Sequence, residues 1–78
     1  MELRPSERAV LRQIRDLFRE ASIRTYQLTV LASRWPSTHY DAYRAGYSGL
    51  VNKGIIAKSD DEQSFSITST GMEAIGQT

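Results

Sequence analysis

The chain has 78 residues, a formal net charge of +1 and no cysteine, which predicts one domain over residues 1–78 and excludes disulfide and thiolate-metal frameworks. Apolar residues make up 40% and charged residues 24%, an ordinary globular balance without the long apolar run of a membrane span or a signal peptide. The expected setting is a reducing, cytoplasmic one, and a nucleic-acid binder with so little net charge must segregate its basic residues.

The first predicted element is a helix from Pro5 to Ala21, where Val10, Leu11, Ile14, Leu17, Phe18 and Ala21 recur at helical spacing. Pro5 suits the first helical position, and Ser6 competes as the N-cap. Ser22 to Arg24 is a short connection whose Ile23 suits a brief strand. Thr25 then reads as the N-cap of a second helix running to Arg34, with Leu28, Leu31 and Ala32 on its apolar face and Trp35 at its end. Pro36 stops it, because proline disfavours helical geometry at the preceding residue.

Pro36, Ser37 and Thr38 form the next turn, and Thr38 with Asp41 fits a capping box for a helix over residues 38–53. Tyr40, Tyr43, Tyr47, Leu50 and Val51 share one face of it. Gly54 after Lys53 reads as a left-handed stop. Two helices joined so tightly predict helix-turn-helix geometry. Beyond Gly54 the period changes to that of strands, Ile55–Lys58 and Phe65–Thr68, around a polar, acidic loop from Ser59 to Ser64. Thr68 is placed to cap a last short helix bearing Met72 and Ile75.

The segments Leu50-Val51-Asn52-Lys53-Gly54-Ile55-Ile56 and Phe65-Ser66-Ile67-Thr68-Ser69-Thr70-Gly71 resemble those of the winged helix-turn-helix superfamily of bacterial transcription regulators, over roughly Pro5 to Ile75. The resemblance implies an α+β fold of three helices, a two-stranded β-hairpin wing and a short C-terminal helix. It implies double-stranded DNA as partner, bound by a small dimeric regulator that reads the major groove with helix 38–53. Wings that grip phosphate carry lysine or arginine at the tip, whereas this one carries Asp60, Asp61 and Glu62. That tip, the near-zero net charge and a ridge of small residues support an alternative, a winged-helix protein–protein interaction module.

The face of helix 38–53 opposite its tyrosines nominates Thr38, His39, Ala42, Arg44, Ala45, Ser48 and Asn52 as DNA contacts. Arg44 suits a bidentate bond to a guanine edge, and Ser48 or Asn52 a base or phosphate. Asp41 reads more simply as the closing member of its cap. Ala42 with Gly46 and Ala45 with Gly49 leave a low ridge, and a helical glycine costs about 0.5–1 kcal/mol relative to alanine, so each needs a reason. Gly46 suits either a partner or close packing on the first helix, while Gly49 is expected to face outward.

Arg4, Arg8, Arg12, Arg15 and Arg19 form a stripe on the first helix, and with Lys53 they are candidate phosphate or partner contacts. Asp16 is spaced to pair with Arg12 or Arg19, which fits the alternative of a solvated charged face. Tyr26, Trp35, Tyr40, Tyr43 and Tyr47 suit the core better than stacking on bases. Catalysis is not expected: His39 is the single histidine, and nothing has the spacing of a metal site or a phosphate loop. No cofactor is expected either.

Overall fold

The computed structural model describes residues 2–77. Helix α1 spans Pro5–Ala21, as its apolar spacing predicts, with Arg4 rather than Ser6 at the N-cap. The Arg4 amide donates to Glu7 Oε1 at 2.7 Å. Ser22 ends the helix in the left-handed region (φ 58), its amide donating to the Phe18 carbonyl at 2.8 Å.

The first departure from expectation follows. Thr25 does not cap a helix; it opens strand β1, Thr25–Gln27. The alternation decides this, because Tyr26 is buried between exposed Thr25 and Gln27, and β-branched and aromatic residues suit a half-buried pleated surface. Tyr26 Oη donates to the Leu17 carbonyl at 3.1 Å. The strand begins two residues after Ile23, whose side chain is exposed. Helix α2 is therefore short, Leu28–Ala32, and ends before the predicted Arg34.

The link to the next helix is longer than three residues and contains a 3-10 turn, Ser37–His39. The His39 amide donates to the Pro36 carbonyl at 3.0 Å, so Thr38 sits inside that turn and not at an extended capping position. Helix α3 runs Tyr40–Asn52, with His39 at its N-cap and no side-chain cap bond. The Thr38–Asp41 capping box does not form.

Gly54 has φ +76 and ends this region as expected, since such a turn suits glycine. Strands β2 (Ile56–Lys58) and β3 (Ser64–Ile67) pair antiparallel, Ile56 opposite Ile67 and Lys58 opposite Phe65. Strand β1 adds to the other side of β3, with Tyr26 opposite Phe65. The expected two-stranded hairpin is thus part of a three-stranded antiparallel sheet of order β1-β3-β2. Helix α4, Ser69–Gly76, is capped by Thr68 as predicted, its Oγ1 accepting the Gly71 amide at 3.0 Å.

One apolar cluster joins these elements: Val10, Ile14 and Leu17 of α1, Leu31, Tyr47 and Leu50, and the sheet residues Ile56, Phe65 and Ile67. Helices α1 and α3 approach so closely that a Cβ on Gly46 would lie 2.5 Å from the Ser6 carbonyl oxygen. Gly49 faces the same way: a Cβ there would collide with the Glu7 carboxylate. The outward orientation expected of Gly49 is therefore corrected. Both glycines exist for the contact between α1 and α3.

Candidate nucleic-acid interface

Because Gly46, Tyr47 and Leu50 turn toward the core, the opposite face of α3 is left to solvent. Ala42, Arg44, Ala45, Ser48 and Asn52 are exposed along it, as is Asp41, and Thr38 and His39 are exposed in the 3-10 turn before it. The nominated contacts are thus brought onto one surface, although Gly46 and Gly49 leave the ridge. Tyr43 is half-buried against the core, while Tyr40 is exposed and packs edge-on against Trp35 with ring centroids 5.2 Å apart. Tyr26 and Trp35 are buried, so the aromatic set is chiefly core.

The tip of the β2–β3 hairpin stands beside this face. Asp60, Asp61 and Glu62 are exposed, and the last two are held by bonds within the tip. The Ser59 hydroxyl and then the Gln63 amide hold the Asp61 carboxyl below its ordinary value. Lys58, bonded to Glu62 at 2.5 Å, holds the Glu62 carboxyl low, with a smaller contribution from the Arg44 charge. Arg44 and the acidic tip thus feel one another across a groove that Trp35, Tyr47 and Ser48 also line.

The arginine stripe lies elsewhere. Arg8, Arg12 and Arg15 border a cleft of about 650 Å³ between α1 and α4, with Leu3, Leu11 and Glu73. None of the three lines the groove beside α3. Arg15 bonds the neighbouring Asp16 at 3.3 Å, so Asp16 does not pair with Arg12 or Arg19. Arg4 caps α1, and Arg8, Arg12 and Arg19 are exposed.

Lys53 has an internal role. Its Nζ donates to Glu7 Oε1 at 2.6 Å and to the Glu2 carbonyl at 3.0 Å. Glu7 is only 3% exposed. The Lys53 bond and the Arg4 amide hold its carboxyl below the ordinary 4.5 against the opposing cost of burial. No sequence motif singled out Glu7. The signal was indirect: an acidic residue in the first turn of α1 and a glycine at position 49.

Comparison of the chain with known protein families, characterised proteins and solved structures returned no match. Among the described residues, no helix is long and apolar enough to cross a membrane.

Proposed function

We propose that the chain is a winged helix-turn-helix domain that binds double-stranded DNA without catalysis, setting α3 in the major groove. The observation that carries this reading is the α3 face turned from the core: Ala42, Arg44, Ala45, Ser48 and Asn52 are exposed along it, with Thr38 and His39 exposed in the turn before it. Helix dimensions suit a major groove, and small side chains such as Ala42 and Ala45 permit close approach to base edges. Arg44 supplies the guanine contact, with Ser48 and Asn52 bonding bases or phosphates. The order of helices, hairpin and capped final helix supports the winged-helix reading. A domain of this size covers few base pairs, so the proposal includes two copies on one site, as in a small cytoplasmic transcription regulator.

One observation favours a protein-binding module instead. The hairpin tip beside α3 is acidic and would repel phosphate at close range. The two readings separate in a binding titration against random and selected duplexes at two salt concentrations. DNA reading requires Arg44→Ala to weaken the selected complex by about 1–3 kcal/mol and to relax one base preference. Equal affinity for all sequences, unchanged in Arg44→Ala, points to the protein-binding reading.

A further inference from the structure

The arginine cleft between α1 and α4 has no part in the proposed DNA contact. It measures about 650 Å³, within the range of pockets that hold ligands. Arg8 and Arg12 border it, both exposed and neither in an ion pair among the described residues. Arg15 borders it too and bonds the adjacent Asp16 at 3.3 Å. Arg8 and Arg12 are helical neighbours at i,i+4, and Arg12 and Arg15 at i,i+3, so their like charges repel. Arg8 also lies near the N-terminus of α1, where the helix dipole disfavours a cation. An anionic occupant of the cleft would offset both costs.

The rest of the lining narrows the chemistry. Leu3 and Ala74, both half-buried, add apolar surface beside the charge. Glu73 lines the cleft from α4, a single carboxylate against three arginines. The helical rise spreads Arg8, Arg12 and Arg15 over about 10 Å along α1, and a compact anion such as free phosphate meets only part of that row. A nucleic-acid strand carries a charge on every nucleotide. It would therefore meet Glu73 as well, and it has no side chain to lay on Leu3 and Ala74. A peptide can alternate: carboxylates along α1, apolar side chains over Leu3 and Ala74, and an uncharged residue at Glu73.

We infer that the α1–α4 cleft is a docking site for an acidic segment of a partner protein, one in which carboxylate and apolar side chains are interleaved. Its carboxylates pair with Arg8 and Arg12, and Arg15 is a weaker third contact because Asp16 already holds it. Asp60, Asp61 and Glu62 of the hairpin tip do not line this cleft, so they do not repel its occupant at close range. None of the three arginines lines the groove beside α3. The site is therefore separate from the DNA face, and the inference holds whether or not α3 reads DNA.

The test titrates the full chain with a capped hexapeptide of alternating aspartate and leucine, followed through backbone amide and arginine side-chain NMR signals. Two matched peptides separate the contributions: asparagine with leucine removes the charge, and aspartate with serine removes the apolar surface. The expected result is a saturable change centred on Arg8, Arg12 and Glu73. Affinity falls at least about tenfold for the asparagine peptide and at least about threefold for the serine peptide. Arg8→Gln combined with Arg12→Gln, both at exposed positions, weakens binding by about tenfold while the melting temperature holds. Glu73→Gln, which removes the carboxylate on the far wall, tightens binding by about twofold or more. No saturable change with the aspartate–leucine peptide overturns the inference. So does full affinity of either matched peptide or of the double arginine variant, or weaker binding in Glu73→Gln. A random-sequence duplex whose largest changes fall on Arg8 and Arg12 would assign the cleft to nucleic acid and overturn it too.

Discussion

Gly46 and Glu7 both lie in the contact between α1 and α3, and each makes a testable demand. Gly46 meets the backbone of Ser6, which cannot move aside as a side chain can. Alanine there gains about 0.5–1 kcal/mol of helix propensity, yet overpacking costs about 1–3 kcal/mol or more. Gly46→Ala is therefore expected to lower the melting temperature, while Gly76→Ala, with open space around it, does not. Equal melting of the two variants would contradict the close approach.

Glu7 adds a pH dependence. Its carboxyl lies below 4.5 in the fold, so the unfolded chain binds the proton more readily. The stabilisation is complete above the ordinary value and is lost as pH falls from there through the folded one. Glu7→Gln removes charge-assisted hydrogen bonds worth about 1–3 kcal/mol at neutral pH. The gap between wild type and variant should close as the solution is acidified, measured by urea denaturation across that range. A gap independent of pH would sink this account of the Glu7–Lys53 pair.

Among the elements, β3 is central, flanked by β1 and β2. Phe65 on it is 1% exposed and meets Tyr26 at 5.8 Å and Tyr47 at 5.9 Å. Phe65→Ala is expected to cost about 3–5 kcal/mol, comparable to the whole stability of a small domain. Circular dichroism should show that variant largely unfolded at room temperature; a native spectrum with a cooperative melt near wild type would contradict the packing.

The elements whose order is local were legible in the sequence. The α1 periodicity, the Gly54 stop, the β2–β3 pairing and the Thr68 cap rest on neighbouring residues. Strand β1 was not legible, because Thr25-Tyr26-Gln27 pairs with a strand about forty residues away in sequence and only that pairing identifies it. The exposed α3 face followed from helical spacing, and the structure keeps those residues together. The inward turn of Gly49 was missed because its partner is a buried carboxylate on another helix, and periodicity ranks carboxylates as solvent-facing.

At the scale of the molecule, three charged regions stand out: Arg8, Arg12 and Arg15 along the α1–α4 cleft, carboxylates at the hairpin tip, and an α3 face whose Asp41 and Arg44 offset one another. This arrangement predicts that converting Asp60, Asp61 and Glu62 together to amides strengthens non-specific duplex binding, most strongly at low salt. Weaker binding of that variant would make the carboxylates direct contacts. The central claim, DNA bound through α3, is tested most directly by mapping amide chemical shifts of the full chain with a duplex at low salt. The account predicts the largest changes at Thr38, Ala42, Arg44, Ala45, Ser48 and Asn52, fading as salt rises. Changes confined to the arginine cleft of α1 and α4, or no saturable change at all, would contradict it.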